Sequence, residues 1–131
     1  MVRLGTDMSK MAILDRAHLR HVTFDDRALM QEVLGLFRGQ AELWSRLLRP
    51  DRPDRGWVDA AHSLKGSARG IGAWKLAEAC DMAEELGRQP NPSIVEVSVR
   101  LQDLRSALDD ALMEVMKLDQ ELAFLELRSA S

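Results

Sequence analysis

Residues 94–125 place apolar side chains at Ile94, Val97, Leu101, Leu104, Leu108, Ala111, Val115, Leu118, Leu122 and Leu125, in unbroken steps of three and four. That is the 3.5-residue period of a helix packing along a continuous seam. A helix of roughly 33 residues spans ~50 Å, so its seam needs several partners. The upstream sequence supplies them as shorter helical segments. No stretch of the chain carries the two-residue alternation of a β-strand.

Working back from the seam, Gln89-Pro90-Asn91-Pro92 is a break. Before it the spacing predicts a helix from Ala73 to Gly87, with Leu76, Cys80 and Ala83 turned inward. Gly70 and Gly72 make a corner, where glycine supplies the positive φ of a helix end. A helix from Asp54 to Arg69 precedes the corner, and Pro50-Asp51-Arg52-Pro53-Asp54 breaks the chain again. Thr23 and Asp26 read as an N-terminal capping pair for a helix running to about Arg49. Its expected apolar positions are Leu29, Val33, Leu36, Phe37, Trp44, Leu47 and Leu48, with Gly35 and Gly39 weakening it slightly. A short helix around Ile13 to His21 opens the domain. The expected fold is therefore all-α, an up-down four-helix bundle with an additional short N-terminal helix. Residues 1–8 are expected to be a flexible leader, and residues 9–131 a single domain.

The long helix outruns its neighbours. Leu118, Leu122 and Leu125 lie beyond the reach of the shorter helices, so either the N-terminal helix covers them or a second chain does. Cover within the chain, hence a monomer, is the preferred expectation, with a dimer as its competitor.

Composition narrows the function. A chain of 131 residues with 46% hydrophobic and 30% charged residues can bury a core without metal or disulfides. Its net charge of −3 argues against nucleic acid, which demands a basic surface. The lone Cys80 cannot form an internal disulfide and fits a reducing compartment. No secretory leader and no membrane-spanning segment can be read in the chain. The expectation is a cytoplasmic protein that binds neither nucleic acid nor membrane.

One face of the Asp54 to Arg69 helix stands out. At ~100° per residue, Trp57, Ala60, Ala61, Leu64, Ala68 and Ile71 share one buried arc. His62 points about 150° away from its centre, on an outward face with Val58, Lys65, Gly66 and Arg69. An exposed imidazole, a cation one turn along and a residue without a side chain suit a phosphoryl carrier. Lys65 is expected to be exposed there and to offset charge. Gly66 in mid-helix costs ~1 kcal/mol against alanine, which suggests close approach by another molecule.

The same run resembles the signature of histidine-containing phosphotransfer (HPt) domains. In that family the histidine is followed by lysine at the third position and glycine at the fourth, then by small residues and a Gly-Ala pair. Here these are His62, Lys65, Gly66, Ser67, Ala68, Gly72 and Ala73, continuing to Leu76 and Glu78. The resemblance implies a carrier in a two-component phosphorelay. His62 would accept a phosphoryl group, on Nε2, from the phosphorylated aspartate of a receiver domain and pass it on reversibly. Val58, Gly66 and Arg69 would belong to the receiver-docking face. Mg²⁺ would sit on the receiver, with no cofactor on this chain. Response-regulator receivers are the implied partners, with a hybrid histidine kinase as a further one.

Other features read as ordinary. His18 and His21 have a spacing compatible with two metal ligands, but nothing nearby completes a set. Gly66, Gly70 and Gly72 lack the order of a phosphate-binding loop. Trp44, Trp57 and Trp74 read as core or corner packing, Cys80 as a buried inert thiol, and Glu84-Glu85 as a solvated helix face. With no nucleotide site legible, the chain is expected to have no ATP-dependent kinase activity of its own. Two other readings compete: a helical adaptor or dimerisation module, and the phosphoacceptor domain of a larger histidine kinase.

Overall fold

The computed structural model describes residues 12–130, and the expected leader, residues 1–8, lies outside them. Five helices follow in order: α1 (Arg16–Val22), α2 (Arg27–Ser45), α3 (Gly56–Ile71), α4 (Trp74–Gly87) and α5 (Ile94–Ala130). No strand occurs among the described residues. Helix α3 packs between α2 and α4, and α5 closes the bundle against α4 and α2. The result is the expected all-α bundle with a short helix added at its N-terminal end.

The capping expected at α2 is corrected. Asp26, not Thr23, is its N-cap, and its carboxylate accepts the Leu29 N–H at 3.1 Å. Thr23 is buried and closes α1 instead, its hydroxyl donating to the Leu19 carbonyl at 2.7 Å. Helix α2 ends at Ser45 rather than near Arg49. Its buried stripe is Met30, Leu34, Phe37 and Ala41, whereas Leu36, expected inside, is 65% exposed. Counting apolar residues mis-set the arc because leucine and valine occur on both flanks of this helix.

Helix α3 follows its expected arc throughout: Trp57, Ala60, Ala61, Leu64, Ala68 and Ile71 are all buried. Gly70 is the last residue but one of this helix rather than part of the corner. The corner is Gly72 alone, at φ +80°, which caps α3 in the left-handed conformation. A side chain there would also strike Asp15, whose Cβ lies 2.9 Å from the position of an added Cβ. Asp15 is itself buried. It caps α1 through the His18 N–H at 3.0 Å, accepts the Trp74 indole N–H at 2.9 Å, and donates its own N–H to the Gly72 carbonyl at 2.9 Å. One residue thus ties α1 to the α3–α4 corner.

Helix α5 has 37 residues, four more than the roughly 33 expected, and at 1.5 Å per residue it measures about 55 Å. Its buried positions run from Val97 to Leu122 in the expected order. Leu118 and Leu122 join a core continuous with Leu14, Leu19 and Met30. Arg16 pairs with Glu121 at 2.8 Å across that junction. Cover for these two leucines comes from within the chain. The two ends of the expected seam do not follow: Ile94 is exposed and Leu125 is 45% exposed.

Candidate functional site

His62 occupies the outward face of α3, its side chain 70% exposed. The ring is held from one side only. Nδ1 lies 2.7 Å from Oε2 of Glu84 on α4, and Nε2 has no hydrogen-bond partner among the described residues. Lys65, one turn along α3, does not stand free as the sequence suggested. Its side chain is only 13% exposed, with Nζ 2.6 Å from Glu84 Oε1 and 3.2 Å from Asp81 Oδ1. The ammonium fills the α3–α4 seam between two carboxylates.

Glu84 is the residue that sequence reasoning missed. Expected as part of a solvated face, it is 12% exposed and joins His62 to Lys65. A signal was present: Glu84 and Gly87 continue Leu76, Cys80 and Ala83 at helical spacing, so the carboxylate falls on the inner stripe of α4. A carboxylate in such a position requires partners. Burial alone would raise its pKa, but Lys65 and His62 together hold it below the ordinary glutamate value. Glu84 in turn raises the Lys65 pKa, against burial and with help from Asp81.

The remaining members of the expected face divide. Gly66 and Arg69 are exposed. A Cβ built at Gly66 would meet nothing within 4 Å, so nothing inside the domain requires glycine there. Val58 is half-buried rather than outward. It packs in the seam against Gly87, where an added Cβ would lie 2.7 Å from Val58 Cγ2. The close crossing of α3 and α4 at this pair brings Glu84 within reach of His62.

A family model described as the Hpt domain matches residues 28–115, from the first turn of α2 through most of α5. This chain belongs to the Hpt domain family. The crystal structure of the histidine phosphotransferase ShpA from Caulobacter crescentus is similar, with 39% sequence identity and a TM-score of 0.72. The match covers 88% of this chain and 99% of that one. No match was found among curated proteins.

Other residues of this Hpt domain have packing roles. The His18 ring stands edge-on to Trp74, with centroids 4.9 Å apart, while His21 is exposed on the same short helix. Among the described residues no three His, Cys, Asp or Glu side chains gather as a metal site. Trp57 is core, and Trp44 donates its indole N–H to Gln40 at 2.9 Å. Cys80 is buried, and burial, with Glu84 adding, pushes its thiol up to about 12, a value at which it is not a nucleophile near neutral pH. No helix among the described residues is long and apolar enough to cross a membrane.

Proposed function

We propose that this Hpt domain carries a phosphoryl group on His62 within a two-component phosphorelay. The observation that carries the reading is His62 itself, exposed on a bundle helix and tethered through Nδ1, which leaves Nε2 without a partner among the described residues. Family membership and the similarity to a histidine phosphotransferase support the same role. Response-regulator receiver domains and histidine kinases are the partners of such a carrier.

In the forward step Nε2 attacks the phosphorus of a phosphorylated receiver aspartate in line. The Nε2–P bond forms, the P–O bond to the aspartate breaks, and its electron pair leaves with the carboxylate. The reverse step returns the group. Such a transfer depends on positioning and charge stabilisation more than on covalent chemistry. The domain contributes an exposed ring and an unobstructed approach beside Gly66. We assign Mg²⁺ to the receiver, and no ATP-dependent kinase activity to this chain. Arg69, exposed on the same helix, belongs to the docking face.

The test is transfer of label from a phosphorylated receiver. Acid-labile, alkali-stable label should appear on the wild-type domain and be absent from His62→Gln, with helical circular dichroism unchanged. Label persisting in His62→Gln, on His18 or His21, would overturn the assignment.

A further inference from the structure

We propose that the outward face of α2 is a self-association surface, on which two copies of this chain pair antiparallel about Gly39. The inference stands apart from the phosphoacceptor role. His62 is tied to α4, and α3 lies between α4 and α2. Glu32, Leu36, Gly39, Leu43 and Arg46 fall within an arc of about 80° on α2, opposite its buried stripe of Met30, Leu34, Phe37 and Ala41. All five are exposed, Leu36 by 65% and Leu43 by 55%. Their steps of four, three, four and three are the period of a helix-packing seam. Helix α2 thus carries two seams, one buried in the bundle and one bare.

The bare seam is symmetric about Gly39. Glu32 lies seven residues before it and Arg46 seven after, while Leu36 lies three before and Leu43 four after. A two-fold axis through Gly39 therefore sets Glu32 of each copy against Arg46 of the other, with the leucines packed between. That is the self-complementarity an isologous interface requires. Parallel pairing would set Glu32 against Glu32 and Arg46 against Arg46, and like charges in contact select against it. Neither charge has an ion-pair partner among the described residues. By contrast, Arg38 and Arg49 are paired with Asp119 and Asp51.

Gly39 provides the room. A Cβ built there meets nothing within 4 Å, and a glycine at the crossing point lets two helix axes approach closely. A different protein seated on this face would need no such symmetry of charge. One helix pair buries less than the roughly 1,200 Å² at which standard-sized interfaces begin, so the dimer should be weak, with both forms present at about 100 μM.

Sedimentation equilibrium of the full chain, from about 10 to about 500 μM, tests this. The wild-type mass should climb from monomer toward dimer. Leu36→Lys combined with Leu43→Lys should remain monomeric throughout, with an unchanged melting curve at the lowest concentration, because both leucines are exposed. Glu32→Arg and Arg46→Glu should each weaken association about tenfold, since the two-fold axis applies each clash twice. Combining the two substitutions in one chain, or mixing the two single variants, should restore it. Gly39→Cys should form an intermolecular disulfide under mild oxidation, because the axis brings the two sulfurs together; Gly70→Cys on α3 should not, and the native Cys80 is buried. A wild type that stays monomeric at every concentration would overturn the proposal. A dimer indifferent to the leucine substitutions would place the interface elsewhere and overturn it equally. Failure of the combined charge swap to restore association would overturn the antiparallel register. Leucine variants that leave the mass unchanged yet slow transfer from a phosphorylated receiver would give this face to the receiver instead of a second copy.

Discussion

Gly66 should be the position where stability and function respond with opposite sign. It lies in the interior of α3, is exposed, and has no neighbour within 4 Å of an added Cβ. Alanine there should stabilise the domain by about 1 kcal/mol, the difference in helix propensity, and raise Tm by about 4 °C for a domain of this size. Gly70 is also helical and exposed, with nothing within 4 Å, and makes the control. Gly70→Ala should bring a similar gain at no functional cost. Gly66→Leu should keep the fold yet slow transfer from a phosphorylated receiver by tenfold or more (about 1.4 kcal/mol of lost docking or alignment), because its side chain fills the space beside the His62 ring. Phosphoramidate does not dock, and with it Gly66→Leu should react near the wild-type rate. Calorimetry and paired time courses with the two donors read all of this out. Normal receiver transfer by Gly66→Leu, or equal slowing with both donors, would refute the close-approach reasoning. Destabilisation by Gly66→Ala would refute the structural half of it.

Three further outcomes follow from packing and charge. Gly87→Ala places a methyl group on Val58 and should destabilise by about 1–3 kcal/mol, the usual cost of overpacking; Val58→Ala in the same chain should recover part of the loss, and a neutral single variant would show that the helices can separate freely. Ending the chain after Lys117 removes the buried Leu118 and Leu122 and should cost about 3 kcal/mol or more by urea unfolding. A truncated domain of wild-type stability would mean that α1 does not depend on these leucines, and sedimentation of both forms would show whether a second chain is involved. The lowered pKa of Glu84 contributes stability above the ordinary glutamate value of about 4.3, lost as pH falls through its folded value. The raised pKa of Lys65 contributes stability below its ordinary value of about 10.4, lost as pH rises through its folded value. Glu84→Gln should thus flatten the acid limb of a stability–pH curve, and an unaltered limb would exclude this contribution.

The sequence by itself determined the helices, their order and the histidine exposed on α3. Each of these follows from spacing along one chain segment: the α3 arc from Trp57 to Ile71, the α5 seam from Val97 to Leu122, and the direction opposite the arc for His62. Helical geometry converts such spacing directly into faces. Boundaries were less legible, because Thr23 and Asp26 are both competent caps and only the closure of α1 assigns them to different helices.

What surrounds His62 was decided by tertiary structure. Glu84 is 22 residues away in sequence, and its nearness to the ring depends on how closely α3 crosses α4 at Val58 and Gly87. Lys65 illustrates the same limit. Its position on α3 could be read from the sequence, but a lysine stem is long enough to lie along the seam and place its ammonium between two carboxylates. Periodicity ranks the residues of one helix relative to each other. It contains no information on which residue of the next helix lies opposite, because that depends on the crossing angle and on the side chains small enough to permit it.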